Sequence, residues 1–473
     1  MTQPRRIIWL MTLVVGLVHV EGAARNADAS PQDQGQQQQL GSYFVGHATR
    51  VLNVTGTRDE TRNVNVHLWY PAPDPQNCQS GDGNSQGCPP SVYTSRLNGI
   101  PLLPQWDPLS WTIASSQSFQ ELPISSAQSS YPVIIFSHGN QNNAIDYVYT
   151  LEALASLGYI VAAPDHVNNT QDDVRIDFID RKAGSPLPFN FTDSPEGKPC
   201  FDDLSAPCEV LDRYIKDFGR DPPLDVPCPQ VTSLTPPVPP PTKSARESLT
   251  DRVNDIRAII DALPTWFGSR ADTSRVGVMG HSRGTVTALA AAGGSKTCWG
   301  FDKEPRVKAI MGLAIGARNI TFAADVKDVT VPTLLVAGSA DRTAPASISN
   351  EAFNMIPAST DNAFILITNA EHRHFDSGLC AQTQSSGAIA ESNPGAILDL
   401  QTVNTLVTFP NSGVAMDFCG YDTFTMPSDI TSLVFSLTGF SVTPTNVPTT
   451  GLDSNTVKDK VVGLARDFFG RVL

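Results

Sequence analysis

Reactive chemistry concentrates in one pentapeptide, Gly280-His281-Ser282-Arg283-Gly284, of the form Gly-x-Ser-x-Gly. An apolar strand pattern, Val276-Gly277-Val278-Met279, precedes it, and an Ala-rich helical pattern from Gly284 to about Ala292 follows. That context marks a sharp strand-to-helix turn that presents a serine hydroxyl at the end of a sheet, with glycines on either side to avoid a clash. The helix starting there offers backbone N–H groups and the positive end of its dipole to a developing oxyanion. Outside such a context the five-residue pattern is weak and describes any Gly-rich turn with a surface serine.

A serine alcohol needs a base to take its proton, and the chain has eight histidines. His19 lies in the apolar N-terminal run, and His47 and His67 lie in early strand patterns. His138 and His281 flank the proposed oxyanion loop and the elbow, and His166 precedes the serine. The expected order is Ser, acid, His. This leaves His372 and His374, both just after the last predicted strand; His372 is the expected base and His374 the alternative. The acid that fixes the imidazole is expected at Asp341, in Gly338-Ser339-Ala340-Asp341-Arg342 after an apolar strand. Asp325, Asp328 and Asp361 fall in the same interval but not at a strand's carboxyl end. The oxyanion donors are expected to be the backbone N–H of Arg283 and that of Asn140, in Ser137-His138-Gly139-Asn140, where glycine permits close approach of the backbone to substrate.

The elements that must position these residues alternate. Val64, Val66 and Leu68 interleave with Asn65 and His67, a half-buried strand. Val133-Ile134-Ile135-Phe136 is a continuous apolar run, as in a strand buried on both faces. Ile145, Val148, Leu151, Leu154 and Leu157 follow at helical spacing, and Tyr159-Ile160-Val161-Ala162-Ala163 is the next strand. Val253, Ile256, Ile260 and Leu263 line a helix face, with Ser248 and Asp251 as a capping box at its start. Strands at 276–279, 309–315, 333–337 and 364–368 complete a parallel α/β sheet. Ligands of such sheets bind beyond the strands' carboxyl ends. Two Pro-rich stretches, 72–130 and 167–246, interrupt the pattern as insertions, the second placed as a lid would be. A C-terminal extension, 376–473, ends in an amphipathic helix around 457–469.

The chain has 473 residues, 40% hydrophobic and 17% charged, with a formal net charge of −14. That is a globular composition, and its acidity disfavours nucleic acid and anionic membranes as partners. Arg5 and Arg6 followed by the apolar run 7–20 and by Gly22-Ala23-Ala24 read as a secretory signal over 1–24. A Gln-rich leader, 25–40, and a single domain, 41–473, follow; no other run is long enough to span a bilayer. The protein is therefore expected to be secreted, outside the cell or in the periplasm. Eight cysteines suit an oxidising compartment. Cys78 with Cys88, Cys200 with Cys208 and Cys380 with Cys419 are plausible pairs, leaving Cys228 and Cys298. No Cys-x-x-Cys or His-Glu-x-x-His occurs, so neither a metal nor an organic cofactor is expected.

Residues 132–139 with 158–166 resemble the platelet-activating-factor acetylhydrolase and dienelactone-hydrolase-like branch of the α/β-hydrolases. The stretch 331–341 with Ala344-Pro345 is similar to cutinase-like polyester hydrolases, and His372 with Phe375 resembles the acetylhydrolase motif around its base. The resemblance covers roughly half the chain. It implies an α/β-hydrolase fold and a serine esterase or lipase-type enzyme using Ser282, Asp341 and His372 on a small-molecule, lipid or polymeric ester. The insertions, the extension and Arg283 depart from it and leave the substrate open. An amidase, peptidase or acyltransferase would use the same residues, and a non-catalytic binding protein on this scaffold is a further alternative.

Overall fold

The computed structural model describes residues 41–75, 88–97, 109–140, 142–167, 170, 245–316, 321, 324–341, 344–358, 361–376, 452 and 454–473. The expected signal, the leader and most of 167–246 and 376–473 lie outside these residues, as do Cys78, Cys200, Cys208, Cys228, Cys380 and Cys419. Neither described cysteine, Cys88 or Cys298, is a free thiol.

Ten strands among the described residues form one sheet: β1 (Phe44–Thr55), β2 (Thr61–Ala72), β3 (Pro90–Leu97), β4 (Leu109–Gln120), β5 (Tyr131–Ser137), β6 (Ile160–Pro164), β7 (Ala271–His281), β8 (Val307–Leu313), β9 (Thr333–Gly338) and β10 (Asn362–Ile367). Their order is β10-β9-β8-β7-β5-β6-β2-β1-β4-β3. Neighbours from β10 to β6 are parallel, β2 is antiparallel to both β6 and β1, and β3 is antiparallel to β4. The stretch 72–130, expected as an insertion, contributes β3 and β4; β4 joins the sheet beside β1 in the register Val45↔Ser118.

Helices cover both faces, which is why the central strands read as unbroken apolar runs. Val133 and Ile135 of β5 face α2 (Ala245–Phe267) and α3 (Arg283–Gly293), packing with Val253, Ile256 and Leu289. Ile134 and Phe136 face the other way, onto Val148 and Leu151 of α1 (Val148–Ser156) and Val461 and Phe469 of α5 (Ser454–Val472). Each such side chain removed from water contributes about 1.5–3 kcal/mol. The remaining α-helix among the described residues, α4 (Ala346–Met355), packs Ile348 and Ala352 into the first of these clusters. Gly277 lets α5 approach the sheet: a Cβ there would lie 2.6 Å from the Phe469 ring.

The architecture is the α/β-hydrolase fold. One local expectation is corrected. α2 begins at Ala245, so Ser248 and Asp251 are inside the helix and buried, not at its start. Asp251 faces β2 instead: its Oδ1 accepts from the Thr57 N–H at 2.9 Å and its Oδ2 lies 3.8 Å from Arg62 Nε. A buried arginine elsewhere in the chain claims a carboxylate that local spacing assigns to a cap.

Candidate active site

β7 ends at His281 and α3 begins at Arg283, so Ser282 alone turns the chain, at φ 54° and ψ −117°. That backbone conformation is costly for a residue with a Cβ, of order 1–3 kcal/mol. Packing holds it: the Ser282 N–H donates to Leu313 O of the next strand at 2.8 Å, and its carbonyl accepts from Thr285 N at 3.0 Å. A Cβ on Gly280 would fall 2.2 Å from the Gly284 carbonyl carbon, and one on Gly284 would fall 1.8 Å from Ser137 O. Only glycine fits at either place, and the turn brings β5's end against the elbow.

Gly316 packs directly on the serine: a Cβ built on it would lie 3.0 Å from each of Ser282 Oγ, Ser282 C and Arg283 N. Hydrogen in place of a side chain lets this part of the chain lie against the hydroxyl and the first N–H of α3. The Asn140 backbone N–H makes no hydrogen bond among the described residues, and the Asn140 side-chain oxygen accepts from Arg283 Nη1 at 3.0 Å. Burial pulls the Arg283 guanidinium down to about 10.

Asp341 follows β9 and is buried; its Oδ2 lies 2.8 Å from His372 Nδ1, and its Oδ1 accepts from the Ala344 N–H at 2.7 Å. That bond assigns the proton to Nδ1 and leaves Nε2 as the accepting nitrogen. The His372 ring packs on that of His281, centroids 4.5 Å apart, which brings it beside the elbow. Ser282 Oγ and His372 make no hydrogen bond among the described residues; such contacts commonly close only when substrate binds. His374, the alternative base, is fully buried: Nδ1 accepts from the Glu371 N–H at 2.9 Å, so Nε2–H donates to Leu452 O at 2.8 Å. Its ring fastens the loop to the chain ahead of α5.

His281 is also buried, with Nδ1 2.8 Å from the Tyr147 hydroxyl and 3.1 Å from Asp376 Oδ1. Burial lowers its pKa while Asp376 pulls the other way.

A second Ser-His-Asp set lies beneath the first. Ser137 Oγ is 2.9 Å from His166 Nε2, and His166 Nδ1 is 2.8 Å from Asp255 Oδ2. Their side chains are closed to solvent, and Asp255 also takes Arg62 Nη2 at 2.7 Å. Burial and the nearby Arg252 hold His166 well below the usual histidine range. With no access for a substrate, this set is a scaffold. Chain order had put His166 on the wrong side of the nucleophile; nothing local in the sequence joins it to Asp255, 89 residues away. The bonds from Arg252 to His138 O and from the Gly139 N–H to the Tyr147 hydroxyl were likewise not foreseen. Tyr147, Trp299 and Phe375 are buried in the core. Among the described residues no group of His, Cys, Asp and Glu is arranged to hold a metal, and no helix is long and apolar enough to cross a membrane.

A family model described as PET hydrolase-like matches residues 252–388, and one described as platelet-activating factor acetylhydrolase, isoform II, matches residues 29–172. Over 136 residues the chain is 33% identical to Cutinase est1 of Thermobifida alba, covering 28% of this chain and 42% of that one. Over 104 residues it is 33% identical to a bis(hydroxyethyl) terephthalate hydrolase of Streptomyces coelicolor, covering 22% of this chain and 29% of that one. A solved ferulic acid esterase from Streptomyces cinnamoneus superposes with a TM-score of 0.41 at 17% identity, over 77% of this chain and 86% of that one. The chain spans less than half the length of the curated relatives it matches. It is an α/β-hydrolase in fold, and the PET hydrolase-like match over residues 252–388 includes the elbow.

Proposed function

We propose that the protein hydrolyses carboxylic esters through an acyl-enzyme on Ser282. Ser282 Oγ attacks the ester carbonyl as His372 Nε2 takes its proton, and Asp341 steadies the imidazolium that forms. The oxyanion is held by the N–H groups of Arg283 and Asn140. The alcohol leaves with the proton from His372, and water, activated by the same ring, releases the acid. The observation that carries this reading is the bond of 2.8 Å between Asp341 Oδ2 and His372 Nδ1, on a ring that packs against His281 of the elbow next to Ser282.

The similarity to cutinases and to a terephthalate ester hydrolase supports a bulky or polymeric ester as substrate. The N-terminal run and the cysteine content support a secreted enzyme with a disulfide framework.

The test is a fluorophosphonate probe together with p-nitrophenyl esters of graded acyl length and matched anilides. Wild type is expected to be labelled at Ser282 and to cleave esters ahead of anilides. Ser282→Ala is expected to lose the label and at least about 10³-fold in turnover. Full turnover by folded Ser282→Ala, or labelling at Ser137, would overturn the assignment. Anilides cleaved as fast as esters would make the enzyme an amidase.

A further inference from the structure

The proposed chemistry leaves one buried guanidinium without a task. Arg252 on α2 is 1% exposed, and no carboxylate hydrogen-bonds to it among the described residues. Its donors go to the oxyanion loop: Nη1 to His138 O at 2.8 Å and Ser137 Oγ at 3.3 Å, and Nη2 to Gly139 O at 3.2 Å. The neighbouring Asp255 is taken up by Arg62 and His166, at 2.7 and 2.8 Å.

Two consecutive carbonyls turned toward one guanidinium fix two peptide planes. In a trans peptide the N–H points away from the C=O of the same unit. With His138 O held, the Gly139 N–H points to the opposite side, where the Tyr147 hydroxyl accepts it at 3.0 Å. With Gly139 O held by Arg252 and also by His138 Nδ1–H at 2.7 Å, the Asn140 N–H points away from Arg252, and it is the one left uncommitted among the described residues. The loop lies against the elbow, since a Cβ on Gly284 would strike both Ser137 O and His138 O, at 1.8 and 2.9 Å.

We propose that Arg252 is a positioning residue for the oxyanion hole, holding the Gly139–Asn140 peptide so that its N–H meets the developing charge. It acts through the loop and does not touch substrate. The proposal rests on Ser282 being the nucleophile. A guanidinium suits the task because its fixed fork spans two acceptors, whereas an ammonium is a single point of charge.

The experiment compares wild type, Arg252→Lys and Arg252→Gln on a p-nitrophenyl ester and its thionoester, whose sulfur accepts hydrogen bonds poorly. Melting curves establish that each variant is folded. Loss of one oxyanion donor lowers kcat by ~10² or more. Both variants are therefore expected to lose about that factor on the oxygen ester, with KM within about threefold of wild type. The loss on the thionoester is expected to be much smaller, so the oxygen-to-thiono rate ratio falls toward one. A folded, active variant that keeps the wild-type ratio, or that loses activity through KM alone, overturns the proposal. If Arg252→Gln does not fold, Arg252→Lys decides by the same ratio. Failure of the underlying reading shows separately, as turnover retained by Ser282→Ala.

Discussion

Gly316 matters for the side chain it lacks. It is not among the residues with positive φ, so alanine there meets no backbone strain. A methyl there would nonetheless lie 3.0 Å from Arg283 N, Ser282 C and Ser282 Oγ, so the elbow must shift to admit it. Gly316→Ala is expected to melt no higher than wild type while acylation by p-nitrophenyl butyrate slows by ~10²-fold, the cost of displacing a reacting group by about an ångström. Stopped-flow burst kinetics and a melting curve read the two effects apart. The clash is harder at Gly280 and Gly284, where the added atom would lie 2.2 and 1.8 Å from backbone. Which glycines the elbow needs was legible only for the pair inside the pentapeptide. Gly316 looks like any loop glycine until β8 sets it beside the elbow. The choice between His372 and His374 was likewise beyond reach of spacing, because the group that occupies His374 Nε2 is the carbonyl of Leu452.

At the scale of elements, α5 belongs to the body of the molecule. Phe469 is fully buried, lies against Gly277 of β7 and meets the Tyr159 ring edge-on at 6.4 Å between centroids. Phe469→Ala is expected to lower stability by about 3–5 kcal/mol, read as a shift of the urea midpoint at unchanged slope. The helix was legible in sequence because its apolar residues recur at helical spacing, and so were β5, β6 and β7 as unbroken apolar runs. β3 and β4 were not legible, since their stretch is rich in Pro, Gly, Ser and Gln and pairs at the far edge of the sheet, where alternation is weak. Ser248 and Asp251 misled for a different reason. A polar pair at that spacing has the same form at a helix start and inside a helix, and only Arg62 and Thr57, from another part of the chain, tell the two apart.

For the whole molecule, buried imidazoles set the response to acid. Burial lowers the pKa of His47 to about 3, holds His138 and His166 well below the ordinary value, and lowers His281. Each therefore stays neutral in the folded chain at a pH where the unfolded chain already binds a proton. The sign follows: stability contributed by these groups is full above about pH 6.5 and is lost as pH falls through that value toward the folded pKa. Each histidine in its window contributes a slope of about 1.4 kcal/mol per pH unit. Urea denaturation between pH 8 and pH 4 is expected to show a level region and then a steady decline below about pH 6.5; stability that rises on acidification would contradict it.

The bond from His374 to Leu452 joins positions 78 apart in the chain. Ser282 and Asp341 are synthesised well before the segment that fastens the turn carrying His372. A chain cut short of residue 452 would lack the carbonyl to which His374 Nε2–H donates, and the turn carrying His372 would lose that tether.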